Sequence, residues 1–124
     1  TLSAYRQKLV KIIREGKKQK VRLLFLTQPM LFGDTDYWRS IKGAPYFHWL
    51  NHKKMGEISA ATYWKLMEIF NREMISVCQE EGVEYYDLAA AVPHSLEYLY
   101  DVCHLTERGC QLVADSVAQY LREH

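Results

Sequence analysis

Two short apolar runs, each set between stretches of helical periodicity, constrain this chain more than any other feature. Val21 to Leu26 (VRLLFL) is nearly continuous in apolar residues and stops at Thr27-Gln28-Pro29, and Val83 to Leu88 (VEYYDL) is of similar length. An apolar run this short fits a strand covered on both faces, as in a parallel sheet. Pro29 ends the first run because it removes a ladder donor. The segments around them have the period of amphipathic helices. Leu2 to Glu15 puts Leu2, Tyr5, Leu9, Ile12 and Ile13 on one face, with Gly16 where a helix stop belongs and the basic link Lys17-Lys18-Gln19-Lys20 after it. From Ala60 to Glu81, Tyr63, Met67, Phe70, Met74 and Val77 recur at spacings of three and four, between a Ser59 N-cap and a Gly82 stop. From Glu107 to Arg122, the apolar stripe is Cys110, Val113, Ala114, Val117, Ala118 and Leu121, behind Thr106 as N-cap.

Strands that alternate with long helices imply an α/β fold with parallel strands. Two strands are too few to close such a sheet or to cover three apolar helix faces. The 124 residues are therefore expected to be the C-terminal part of one larger α/β domain, whose other strands lie outside this chain. Sixteen Lys+Arg against fifteen Asp+Glu leave a net charge of +1, which argues against a non-specific nucleic-acid binder. No run of about 18 apolar residues is present, so no membrane span is expected. The opening residues alternate charge with apolar positions, unlike a signal peptide. Three cysteines, Cys78, Cys103 and Cys110, are odd and sparse. That disfavours a disulfide framework and favours a reducing compartment such as the cytoplasm.

The run Tyr100-Asp101-Val102-Cys103-His104-Leu105-Thr106-Glu107-Arg108-Gly109 carries the most chemistry. A carboxylate stands three residues before an imidazole, just ahead of a capped helix. One use of such a pair is a base and its orienter: the carboxylate fixes the ring tautomer, and the other ring nitrogen takes a proton from a nucleophile. The plainer use is a pair that caps the loop. With its following helix, DVCHLTERGCQLVADSVAQYL resembles the last block of the SGNH (GDSL-type) hydrolase family: Asp-x-x-His-Leu-Thr, a Gly three residues on, then an Ala-rich amphipathic helix. LLFLTQP and NREMISVCQEEGVEYYDLA resemble, in the right order, the strand and the helix–strand unit that precede that block.

The resemblance spans roughly residues 20–122. It implies the C-terminal part of a three-layer α/β/α sandwich with a parallel, flavodoxin-like sheet, and ester hydrolysis through a Ser-His-Asp triad. His104 would be the general base and later the general acid, with Asp101 as its orienter. The substrate would be a small ester, such as an acylated sugar or a lipid-like molecule, with no metal or organic cofactor. The family's nucleophile block and its oxyanion-binding Gly and Asn are not found here. They are expected from the N-terminal part of the same domain or from a partner chain, so the chain alone is expected to be inactive. The alternative is a non-catalytic binding or structural relative that keeps the second half of the fold. A receiver-like or flavodoxin-like signalling domain fits less well, for want of an acidic cluster after a first strand or a phosphate-cradling Gly loop.

The remaining candidates are weaker in chemistry. Gly33-Asp34-Thr35 echoes Gly-Asp-Ser with Thr in place of Ser, but on the wrong side of Pro29. His48 and His52 have metal-ligand spacing on a helix but no evident third ligand. Asp87 reads as a turn or cap residue, and Cys103 as a small buried one whose side chain diverges from its neighbour's. Met30 to Ser59 has no sustained period, the mark of a lid, a binding loop or a hidden short helix such as Tyr46 to Leu50. Its aromatics, chiefly Phe32, Trp38 and Trp49, either line the substrate pocket or form a mini-core that pins the segment.

Overall fold

A computed structural model describes residues 1–33 and 60–124. In chain order the elements are α1 (Leu2–Lys18), β1 (Leu24–Leu26), α2 (Ala60–Glu81), β2 (Glu84–Tyr86), α3 (Leu88–Ala91) and α4 (Glu107–Glu123). β1 and β2 pair in parallel, with Leu24 opposite Glu84, Phe25 opposite Tyr85 and Leu26 opposite Tyr86. Parallel neighbours cannot be joined by a tight turn, and α2 lies in the crossover between them. The fold is thus mixed α/β, with a two-stranded parallel sheet and four helices among the described residues. None of these helices is long and apolar enough to cross a membrane.

The pleat sorts alternate side chains to opposite faces. Leu23, Phe25, Val83 and Tyr85 pack against Leu9 and Ile13 of α1 and Met74, Val77 and Cys78 of α2. Tyr86 points the other way, into a second cluster of Leu31, Leu88, Val92 and Leu99 joined by Leu112 and Val113 of α4. Its ring meets that of Tyr120 on α4, with centroids 5.4 Å apart. Arg6 of α1 reaches Glu73 at 2.8 Å and also pairs with Glu80, fastening α1 to α2 beside the first cluster.

The helix boundaries follow from local chemistry. α2 stops at Gly82, whose φ of +62° is a left-handed turn that costs glycine little. α1 runs past Gly16 to Lys18, so Gly16 is no stop. A Cβ there would lie 2.5 Å from Leu23 Cδ1, and the glycine instead makes room for Leu23. The left-handed residue is Lys20, at φ 56°. The inward stripe of α4 is also turned by one position from the expected one. Gly109, Leu112, Val113, Ser116, Val117 and Tyr120 face inward, whereas Cys110, Ala114, Ala118 and Leu121 are exposed. Ile12, expected on the inner face of α1, is likewise 53% exposed. On α4 the inward set is the one that meets the second cluster, through Leu112, Val113 and Tyr120. The Ser59 cap lies outside the described residues.

Thr27 ends β1 and is buried. Its hydroxyl donates to Asp87 Oδ1 at 2.7 Å and accepts from the Ala89 N–H at 2.8 Å. Asp87 is the N-cap of α3, so one threonine ties the carboxyl ends of both strands together. Thr27→Val keeps the shape but removes the bond to Asp87 and takes the acceptor from the part-buried Ala89 N–H. It is expected to cost about 1–3 kcal/mol in urea unfolding, whereas Thr27→Ser is expected to retain most of the stability.

Candidate functional site

The Asp101–His104 pair sits at the tip of a small hairpin. Leu99 and Leu105 form an antiparallel bridge. Tyr100 N–H donates to His104 O at 3.0 Å, and Thr106 N–H donates to Tyr98 O at 2.9 Å. Thr106 holds the base of the hairpin twice: its hydroxyl accepts from Gly109 N–H at 3.1 Å, capping α4, and donates to Glu97 O at 2.6 Å. The tip is docked to the segment after β1 by Leu31 N–H to Val102 O, 2.9 Å.

At the tip Asp101 bends the backbone around itself. Its Oδ1 accepts from the N–H of Cys103 at 3.0 Å and of His104 at 2.8 Å, and its Oδ2 lies 2.7 Å from His104 Nδ1. Burial pushes the Asp101 carboxyl up, but the two backbone N–H bonds and the imidazole outweigh it and hold it below its usual range. An ionised carboxylate only accepts hydrogen bonds, so in the neutral ring it is Nδ1 that carries the proton and Nε2 that keeps its lone pair. The Asp101 side chain is 16% exposed and that of His104 is 65% exposed. The carboxylate is therefore sheltered while the imidazole is exposed, with the Tyr100 ring stacked 5.8 Å away.

The same tight turn brings Cys103 to the imidazole, with Sγ 3.9 Å from Nδ1. Its side chain does not diverge from that of His104, and the residue is half-buried rather than buried. Burial, and then the Asp101 carboxylate, push the Cys103 thiol up, which leaves it a poor nucleophile near neutral pH. Cys78, Cys103 and Cys110 are all free thiols.

Phe32 is 2% exposed and packs with Met30, Tyr63, Trp64, Met67 and Val102. Its ring is a packing element that supports the hairpin tip from below, not a wall open to a ligand. Trp38, Trp49, His48, His52, the Tyr46–Leu50 turn and the Asp34-Thr35 part of the Gly-Asp-Thr run lie outside the described residues. Asp87 is bound to Thr27 and caps α3 through Ala90 N–H, and makes no pair with His104.

A groove of about 330 Å³ opens at the carboxyl ends of the strands, lined by Gln28, Met30, Trp64, Asn71, Asp87 and His94 among others. Open α/β sheets bind ligands in that place. His104 is not on its wall. Two of the lining residues were not singled out from sequence and shape this region. Asn71 pairs its amide with both backbone groups of Gln28, at 2.9 and 3.0 Å. His94 Nδ1 lies 2.6 Å from Met30 O, and its ring closes over Gly33. Neither has a local pattern in the sequence, because each partner is more than forty positions away.

The chain matches no protein-family model, no curated protein and no solved structure.

Proposed function

We propose that this chain is the C-terminal part of an SGNH-type serine esterase and supplies the base and orienter of a Ser-His-Asp triad. The observation that carries the reading is a sheltered carboxylate 2.7 Å from the Nδ1 of an imidazole whose side chain is 65% exposed. A Ser outside the described residues gives its proton to His104 Nε2 as it attacks an ester carbonyl. The imidazolium, held by Asp101, returns the proton to the leaving alcohol, and water then releases the acyl group by the same route.

Two further observations favour completion as a three-layer α/β/α sandwich. Among the described residues β1 pairs only with β2. Leu26, in register with Tyr86 and so on the α4 side, is 40% exposed. The apolar stripe Cys110, Ala114, Ala118 and Leu121 on α4 is uncovered as well. More strands beside β1 and a helix beside α4 would bury both, and that added polypeptide would bring the nucleophile.

The test is turnover of short-chain p-nitrophenyl esters by the protein together with its nucleophile-bearing part, with Asp101→Asn as the probe. Asparagine keeps an oxygen for the two backbone N–H groups, so the hairpin is preserved. Its NH₂ would face Nδ1, which then has to accept, and the ring proton moves to Nε2. The expected loss in kcat is about 10⁴-fold with little change in melting temperature. Unchanged turnover would make the pair a loop cap and favour a non-catalytic module.

A further inference from the structure

We propose that Asp101, Cys103 and His104 also form a binding site for a zinc-like divalent cation, and that the bound ion switches His104 off as a base. Each residue offers one ligand atom, and the three atoms lie within 4.8 Å of one another. Cys103 Sγ is 3.9 Å from His104 Nδ1, and Asp101 Oδ2 is 2.7 Å from it. Bonds of about 2.0–2.3 Å to a tetrahedral ion set donor pairs roughly 3.3–3.7 Å apart. The two separations straddle that range, so side-chain rotations must part Oδ2 and Nδ1 by about 0.6 Å and draw the Cys103 sulfur in, from positions already within 4.8 Å of one another. One sulfur, one nitrogen and one oxygen suit zinc or cobalt, whereas magnesium and calcium take oxygen shells. The donors share one turn fixed by two backbone hydrogen bonds, so little ordering remains to be done on binding.

The switch follows from the tautomer. In the metal-free pair the ring proton is on Nδ1. When the ion takes Nδ1, the neutral ring carries its single proton on Nε2, and the Cys103 thiol gives its proton to solvent. One proton is released per ion and no electrons move. An Nε2 that bears hydrogen cannot accept one from Ser. Binding needs no esterase activity; only the switching half rests on the reading above.

The experiment titrates the reduced whole protein first with Co²⁺ and then with Zn²⁺. A thiolate-to-cobalt charge-transfer band should saturate at one equivalent and disappear as Zn²⁺ displaces Co²⁺. It should be absent in Cys103→Ser and persist in Cys110→Ser. Saturating Zn²⁺ should lower ester turnover at least ten-fold, and Cys103→Ser should resist it. Alkylation mapped by mass spectrometry checks the native chain without mutation: Zn²⁺ should shield Cys103 and leave Cys110 reactive. No band, a band that survives in Cys103→Ser, or no shielding of Cys103 overturns the site. A band with turnover untouched by Zn²⁺ overturns the switch. A band in a protein with no ester turnover leaves the site standing and removes the esterase.

Discussion

His104→Ala is expected to lower kcat for short-chain p-nitrophenyl esters by about 10⁴ to 10⁶-fold while the protein stays folded. On the proposed triad reading, the imidazole is the group at the hairpin tip that takes the nucleophile's proton. The variant uncovers Asp101 Oδ2, but the backbone N–H groups of Cys103 and His104 still hold that carboxylate ionised through Oδ1, which leaves it a weak base. The Cys103 thiol is pushed up, so it does not substitute as a base. Folding should be spared, because the His104 side chain is 65% exposed and its backbone N–H stays bound to Asp101. The residual rate should come from binding and oxyanion contacts alone. Parallel measurements of kcat, KM and thermal melting decide the matter. A loss of KM alone would make His104 a substrate-binding group. A collapse of melting would make it structural.

Gly109→Ala should be the most destabilising single-methyl change in the hairpin region. It sits in the first turn of α4, where helix propensity favours alanine over glycine by about 1 kcal/mol. The packing says the opposite. A Cβ at Gly109 would lie 2.0 Å from Tyr98 O and 3.0 Å from Tyr98 C. Both are backbone atoms, which cannot rotate aside, and Tyr98 O is the acceptor that Thr106 N–H needs at the base of the hairpin. Either α4 or the hairpin must move, at a cost of about 3 kcal/mol by the upper end of overpacking penalties. Urea unfolding measures it directly. Stability equal to or above wild type would mean that helix propensity outweighs the close approach. Because the hairpin carries Asp101 and His104, ester turnover should fall with stability, unlike in Asp101→Asn, where the two separate.

The three long helices and the two strands were legible because each has a local cause, whereas Leu88–Ala91, which reads as a small-residue turn, is the short helix α3. α2 was read with its ends at Ala60 and Glu81, since its period is long and Gly82 stops it with a positive φ. The parallel strands followed from short apolar runs separated by a helix. The α4 cap was visible as Thr106 before Glu107. The helix faces were less legible. Apolar character put Cys110, Ala114, Ala118 and Leu121 inward, yet the sheet meets α4 through Tyr120, and the stripe turns by one position. Gly16 looked like a stop because a glycine after a charged helix usually is one. Its role was set by Leu23, seven positions on.

What the sequence determined by itself was the chemistry available: a carboxylate and an imidazole three residues apart, ahead of a capped helix, on a chain whose periodicities demand alternating helices and strands. Spacing of that kind constrains reach, since neighbours on a short loop stay close however it folds. Only the tertiary structure decided the orientation. The Asp101 oxygens gather two backbone N–H groups and an imidazole, Leu31 anchors the tip through Val102, and the bare α-carbon of Gly109 lets the hairpin seat on α4. Those contacts join segments whose separation in the chain carries no local signal. The protonation of the ring, the burial of its orienter and the approach of the Cys103 sulfur all depend on them.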